Sequence, residues 1–383
     1  MRILVVGPSW VGDMMMSQSL YRTLRARYPQ AIIDVMAPAW CRPLLSRMPE
    51  VNEAIPMPLG HGALAIGERR KLGHSLRERR YDRAYVLPNS FKSALVPFFA
   101  NIPLRTGWRG ELRYGLLNDA RVLDKDAWPL MVERYVALAY DKGVMRCAKD
   151  LPQPLLWPQL QVNEGEKSQA CSAFNLSNDR PIIGFCPGAE FGPAKRWPHY
   201  HYAELAKQLI DEGFQIVLFG SAKDHEAGNE ILAALNTAQQ AWCRNLAGET
   251  QLEQAVILIA ACKAVVSNDS GLMHVAAALN RPLVAVYGYV ARVYPAAGRP
   301  GGNRAPWPRL QPLLRAHLPL RPLQLPARAD AALGGGSLAA LAGFTGRGQL
   351  GARSVGQNFI PRGCDPCLAG ADRCGAGDSG HHL

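Results

Sequence analysis

Apolar and polar positions along the 383-residue chain fall into two repeating series. Arg2–Val6 is a short apolar run that stops at Gly7, the pattern of a buried parallel strand feeding a turn. Met15, Leu20, Leu24 and Tyr28 then predict a helix from about Met14 to Tyr28. Strand-like runs recur at Ala31–Met36, Val51–Ile55, Arg83–Leu87 and Leu104–Gly107, with helical stretches near Cys41–Arg47, Glu68–Arg80 and Phe91–Ala100. A helix at Val132–Lys142 precedes Lys149–Gln161, a polar, proline-bearing segment that reads as a linker. The alternation then restarts with strands at Pro181–Cys186, Phe214–Phe219, Ala264–Ser267 and Leu283–Tyr287. The helices among them fall at His199–Glu212, Lys223–Leu235, Leu252–Cys262 and Gly271–Leu279. Such alternation predicts βαβ units and parallel sheets. The expected fold is therefore α/β, with two Rossmann-like, doubly wound domains at residues 1–160 and 161–288 facing across a cleft. Open parallel sheets bind ligands beyond the carboxyl ends of their strands, so the cleft is the expected site.

Past Gly288 the patterning stops. Residues 289–383 hold 16 Gly, 10 Pro and 11 Arg but no Lys, no Glu and only one Ile. A disordered low-complexity extension is the plain reading. The sharper expectation is out-of-frame translation entered just after Gly288, because the favoured residues have GC-rich codons. On that reading the second domain is incomplete, and a product ending this way is expected to be unstable and weakly active. Cys364, Cys367, Cys374 and the His381–His382 pair lack a clean zinc spacing, so no metal site is expected there.

The tail also distorts the charge. It contributes +7 of the formal +12, leaving +5 on residues 1–288, so the basic pI is no argument for a nucleic-acid partner. The first apolar run breaks at Gly7-Pro8, too short for a signal-peptide core, and nothing approaches the ~20 apolar residues of a membrane span. A cytoplasmic protein is expected. Cys41, Cys147, Cys171, Cys186, Cys243 and Cys262 are scattered without paired spacing and read as buried thiols.

Three strand-to-helix loops could carry chemistry. The first, from Gly7 to Asp13, lacks the spacing of a dinucleotide fingerprint or a P-loop. Asp13 there is either a helix cap or a carboxylate able to accept a proton from a substrate hydroxyl. The second, Cys186 to Pro198, sets Lys195 and Arg196 beside an irregular backbone, suited to a diphosphate, or is an ordinary basic loop. The third, Ser267 to His274, opens a helix with Asp269 and Ser270 as natural caps and an anion site at its amides. Arginines and lysines are dense at Arg69, Arg70, Lys71, Arg77, Arg79, Arg80, Lys92, Arg105, Arg109 and Arg113. Interleaved with Asn89, Ser90, Phe91 and Trp108, they are either solvated helix faces or a surface for a phosphorylated sugar acceptor or an anionic membrane.

Taken in order, SWVGDMMMSQSLYRTLR, LPNSFKSALVPFFANIPLRTGWRGELRYGLLND, PGAEFGPAKRWP and SNDSGLMHVAAAL resemble the bacterial ADP-heptose:lipopolysaccharide heptosyltransferases of glycosyltransferase family 9. The resemblance covers residues 1–288, and its second and third segments look like type II rather than type I members. It implies a GT-B fold and inverting transfer of L-glycero-D-manno-heptose from ADP-heptose to the first heptose of the inner core. The implied partners are ADP-heptose, a heptosyl-Kdo2-lipid A acceptor and, peripherally, the cytoplasmic face of the inner membrane. No cofactor is implied; Mg²⁺ is possible without being required. Asp13 matches the family's catalytic base and Lys195 its donor-phosphate lysine. Asp269, Ser270, Gly271, Leu272 and His274 match its donor loop, and Glu226 an acidic residue holding the donor ribose. Competing expectations are a sibling transferase of type I or III, an inactive frameshifted product, a membrane-surface binder on a decayed enzyme, and an NAD-dependent oxidoreductase. The missing G-x-G-x-x-G argues against the last.

Overall fold

The computed structural model describes residues 1–60, 62–189 and 196–286, with the backbone alone at 287 and 290–294. In the first half, β1 (Arg2–Val6), β2 (Ile32–Ala37), β3 (Glu53–Pro56), β4 (Arg83–Val86), β5 (Leu104–Trp108) and β6 (Asp119–Arg121) form one parallel sheet. Its order is β3-β2-β1-β4-β5-β6. The second half holds β7 (Ile182–Cys186), β8 (Gln215–Leu218), β9 (Cys243–Asn245), β10 (Ala264–Asn268), β11 (Leu283–Tyr287) and β12 (Val290–Tyr294). They run β12-β11-β10-β7-β8-β9, parallel except for β12, which is antiparallel to β11. Numbered from its own first strand, each sheet has the same doubly wound order.

Helices α1 (Val11–Arg27), α2 (Arg42–Leu45), α3 (Ile66–Leu76), α4 (Leu95–Phe99) and α5 (Met131–Ala137) accompany the first sheet. Helices α6 (Glu164–Ala173), α7 (His199–Asp211), α8 (His225–Ala233), α9 (Thr237–Gln240), α10 (Leu252–Ala261) and α11 (Gly271–Ala278) accompany the second. With helices on both faces, the central strands are buried throughout: all five residues of β7 and of β10 are. Leu4, Val86 and Val96 fill the core on one face of the first sheet, and Phe185, Tyr202 and Leu209 that on one face of the second. The remaining faces share a single core, in which Val5, Leu20 and Leu24 join Val256, Ile259 and Val275. The two halves are thus welded by apolar packing.

Several elements differ from the expectation. Helix α1 starts at Val11 rather than Met14, so Asp13 lies inside its first turn. Strands β6 and β9 are three-residue elements, Asp-Ala-Arg and Cys-Arg-Asn, with no apolar run to betray them. Helix α6 buries only Cys171 and shows no apolar stripe. The Lys149–Gln161 linker is a tethered strap: Leu151, Leu155 and Leu160 are buried, and Leu160 N–H donates to the Ala278 carbonyl at 2.9 Å. Beside it the fully buried Gln18 amide brackets Gln159, donating to its carbonyl at 2.8 Å and accepting from its N–H at 2.9 Å. The second sheet continues past Gly288, where the expectation ended it, because β12 adds an edge. Residues 295–383, including the tail cysteines and histidines, lie outside the described residues.

Candidate functional site

In each sheet the strand order reverses beside its first strand, between β1 and β4 and between β7 and β10. Loops leaving such neighbours diverge to opposite faces and open a crevice. The three loops singled out in the sequence leave β1, β7 and β10.

Helices α1 and α11 meet at their first turns, across the two halves. A Cβ built on Gly12 would lie 2.8 Å from His274 Cδ2, and one on Gly271 would lie 2.9 Å from Val11 Cβ. A side chain at either position would require the facing residue to shift. Asp13 follows Gly12, is half-buried, and has its carboxyl pushed above the usual range by burial. Its charge adds to the burial that raises the nearby Tyr135 hydroxyl. Half-buried His274 is held below the usual imidazole range by desolvation, with the Asp269 charge pulling the other way.

Neither helix carries the side-chain cap that the sequence suggested. The N-cap positions are Trp10 and Ser270, both extended, and neither makes a side-chain cap hydrogen bond. The Ser270 hydroxyl lies 3.2 Å from Ser267 Oγ instead, while Ser267 donates to the Asn268 carbonyl at 2.7 Å. Asp13, already inside the helix, is no cap either. Neither N-cap side chain therefore covers the first-turn amides of its own helix, an arrangement that suits an anion.

Asn268 and Asp224 organise the β7 side, and sequence reasoning did not single them out. Fully buried Asn268 donates to the Pro187 carbonyl at 2.6 Å and accepts from Trp197 N–H and the Tyr202 hydroxyl, each at 3.1 Å. It ties both ends of the loop that follows β7. Asp224 accepts from Ser221 N–H at 2.9 Å and its hydroxyl at 2.7 Å. A Cβ on Gly188 would come within 2.6 Å of both Asp224 carboxylate oxygens. The signals were a polar residue closing an apolar strand and the Ser/Asp capping-box spacing at 221 and 224. Leu272 is half-buried in the first turn of α11. Glu226 stands exposed in the first turn of α8, beyond β8, one strand from the β7–β10 reversal. Lys195 lies outside the described residues.

Of the ten cations noted in the first half, Arg70, Lys71, Arg77, Arg80 and Arg109 are exposed, Arg79, Lys92 and Arg105 are half-buried, and two are internal. Arg69 and Arg113 are buried, Arg69 donating to the Leu64 and Ala63 carbonyls at 2.7 and 3.0 Å and Arg113 to the Pro88 carbonyl at 2.7 Å. Arg77 and Arg105 also serve backbone carbonyls, and Arg79 pairs with Glu53. The reason is local: turns without regular partners leave carbonyls that a guanidinium fork can satisfy. Lys92, by contrast, lines both a cavity of about 120 Å³ with Ser9, Trp40 and Ser90 and an adjoining depression of about 550 Å³ with Leu64, Phe91 and Glu111. Of the six body cysteines, five are buried and Cys147 is half-buried. Burial pushes the Cys186 thiol up to about 12, so it stays neutral.

Residues 69–303 match the model of glycosyltransferase family 9 (heptosyltransferase). The chain belongs to glycosyltransferase family 9. It is 90% identical over 288 residues to lipopolysaccharide heptosyltransferase 2 of Salmonella typhimurium, a match covering 75% of this chain and 83% of that protein. The Escherichia coli K12 protein of the same name matches with the same identity and coverage. A solved structure, that of E. coli ADP-heptose lipopolysaccharide heptosyltransferase II, superposes with a TM-score of 0.72 at 87% identity, covering 75% of this chain and 85% of that one. This family 9 member is thus a glycosyltransferase with a GT-B fold, and the oxidoreductase reading lapses. Its family match also takes in β12.

Proposed function

We propose that this enzyme transfers L-glycero-D-manno-heptose from ADP-heptose to the first heptose of the inner core, a heptosyl-Kdo2-lipid A acceptor. The observation that supports the reading is the close approach of Gly12 to His274, which brings the Asp13 turn beside the first turn of α11. Asp13 takes the proton of the acceptor hydroxyl, whose oxygen attacks the anomeric carbon from the face opposite ADP. The bond from that carbon to the diphosphate oxygen breaks, and its electron pair leaves with ADP. The configuration inverts. The amides of Ser270, Gly271 and Leu272 at the start of α11 receive the negative diphosphate, with Asp269 and His274 shaping the loop and Lys195 adding a cation. Glu226 is assigned the donor ribose: β8 is the second strand of its sheet, and dinucleotide folds use an acidic residue after that strand for the same purpose. Protein cations and dipoles do the neutralising, so turnover should persist in EDTA, with Mg²⁺ assisting at most.

The anchored acceptor makes this a cytoplasmic enzyme working peripherally at the inner membrane. No helix among the described residues is long and apolar enough to cross one. The division at residue 160, and out-of-frame translation of 289–383, belong to the same proposal. Re-sequencing the gene around codon 288 tests the latter, and an intact frame there would refute it. The function is tested by offering two acceptors with ADP-heptose. ADP release is expected with the acceptor carrying one heptose and not with one ending in Kdo. Preference for the Kdo-terminated acceptor would reassign the enzyme to the type I reaction, and transfer to neither would overturn the proposal.

A further inference from the structure

Leu112 and Tyr114 are 77% and 70% exposed, more than any other large hydrophobic residue among those described. Arg113 between them is 2% exposed. Its guanidinium reaches down to the Pro88 and Trp108 carbonyls. Glu111 N–H donates to the Asn89 carbonyl at 3.2 Å, and the Glu111 carboxylate accepts from Phe91 N–H at 2.7 Å. Further along, Arg105 Nε holds the Leu116 carbonyl at 2.6 Å. The loop between β5 and β6 is therefore fastened from below at three points, and its two apolar tips cannot fold under. Around them stand exposed Arg109, Lys92 in the adjoining depression, and Arg105, whose guanidinium lies 5.5 Å from the partly exposed Phe98 ring. That depression is lined by Lys92 and Leu64 and, opposite in charge, by Glu111, whose carboxylate is already engaged by the Phe91 amide.

Two side chains offer on the order of 300–400 Å², well below the roughly 800 Å² per partner of a stable protein interface. Apolar tips backed by cations instead suit the boundary between headgroups and acyl chains. We propose that the β5–β6 loop is the edge by which this enzyme rests on an anionic bilayer, Leu112 and Tyr114 entering the headgroup layer and Arg109 and Lys92 facing acidic lipids. The inference rests on the reading above that the acceptor is lipid-anchored, and it gives the depression beside Lys92 an opening at the membrane plane.

The test is co-sedimentation of the full chain with phosphatidylcholine vesicles with and without phosphatidylglycerol. Binding is expected to the anionic vesicles and to weaken as salt rises. The L112E/Y114E double variant should lose roughly tenfold or more of that binding, and L112A/Y114A a smaller, intermediate share. Both should keep wild-type circular dichroism, ADP affinity and turnover on a de-acylated, water-soluble acceptor. Undiminished vesicle binding by both variants, equal binding to neutral vesicles, or a wild-type dimer that falls apart in the double variant would overturn the inference. Vesicle binding that behaves as described without heptose transfer would sink only the enzymatic reading.

Discussion

Asp13 is asked to be charged in a place that disfavours charge. Burial raises its carboxyl, so it holds a proton more tightly than a surface carboxylate and is a stronger base once ionised. Asp13→Asn should lower kcat by roughly 10²–10⁴-fold with ADP binding retained, as read from steady-state rates and calorimetry. Because the base must be ionised, the acid limb of the wild-type rate profile should lie above the usual carboxylate range, and rate should fall as pH falls through it. The linked effect on stability has the opposite direction. A carboxyl raised in the folded state is best tolerated below its unfolded pKa, and it costs stability as pH rises through the folded value. Asp13→Asn should therefore melt higher than wild type at neutral pH, with the gain fading in acid. An unchanged melting temperature at both pH values would dismiss this account of the site.

The pairing of α1 with α11 depends on two missing side chains. Gly12→Ala would thrust a methyl against the His274 ring and require it to shift. The better helix propensity of alanine is worth about 1 kcal/mol, against about 1–3 kcal/mol for overpacking. A displacement near 1 Å can cost about 10²-fold in rate. Gly12→Ala should thus depress activity far more than stability, as measured by turnover beside urea unfolding. The apolar runs announced the central strands β1, β2, β4, β7, β8, β10 and β11 and the longer helices, since burial on both faces leaves an unmistakable stretch. They also marked the loops holding Asp13 and Asp269. What stayed hidden was held by polar or single contacts. Strands β6 and β9 bury too few residues to write a pattern, α6 shows one thiol to the core, and the Asn268 tie joins residues up to 81 positions apart. The arginines stayed ambiguous for a related reason. Local sequence cannot tell a guanidinium that serves water from one that serves a stranded carbonyl, as Arg69 and Arg113 do.

Two copies of one strand order are joined by a shared core and a few polar struts. Arg47, just past α2, reaches Glu166 of α6 at 2.9 Å, Glu253 of α10 at 3.6 Å and the Gln161 carbonyl at 3.3 Å. Its guanidinium, with the Asn163 amide, holds the Glu166 carboxyl below the usual range. Arg47→Ala should cost about 1–2 kcal/mol by urea titration. A lowered carboxyl stabilises above its unfolded pKa and loses that contribution as pH falls through the folded value, so wild type and variant should converge in acid. A penalty equal at acid and neutral pH would show that packing of the arginine stem, not its charge, is what matters. The position of β12 has a further consequence. It is the outermost plank of its sheet, and β11 separates it from β10, whose end begins the crevice loop. Damage within β12 itself would strike the rim first. Genetic lesions in that stretch should therefore thin the yield of soluble enzyme before they blunt the affinity for ADP of each molecule that survives.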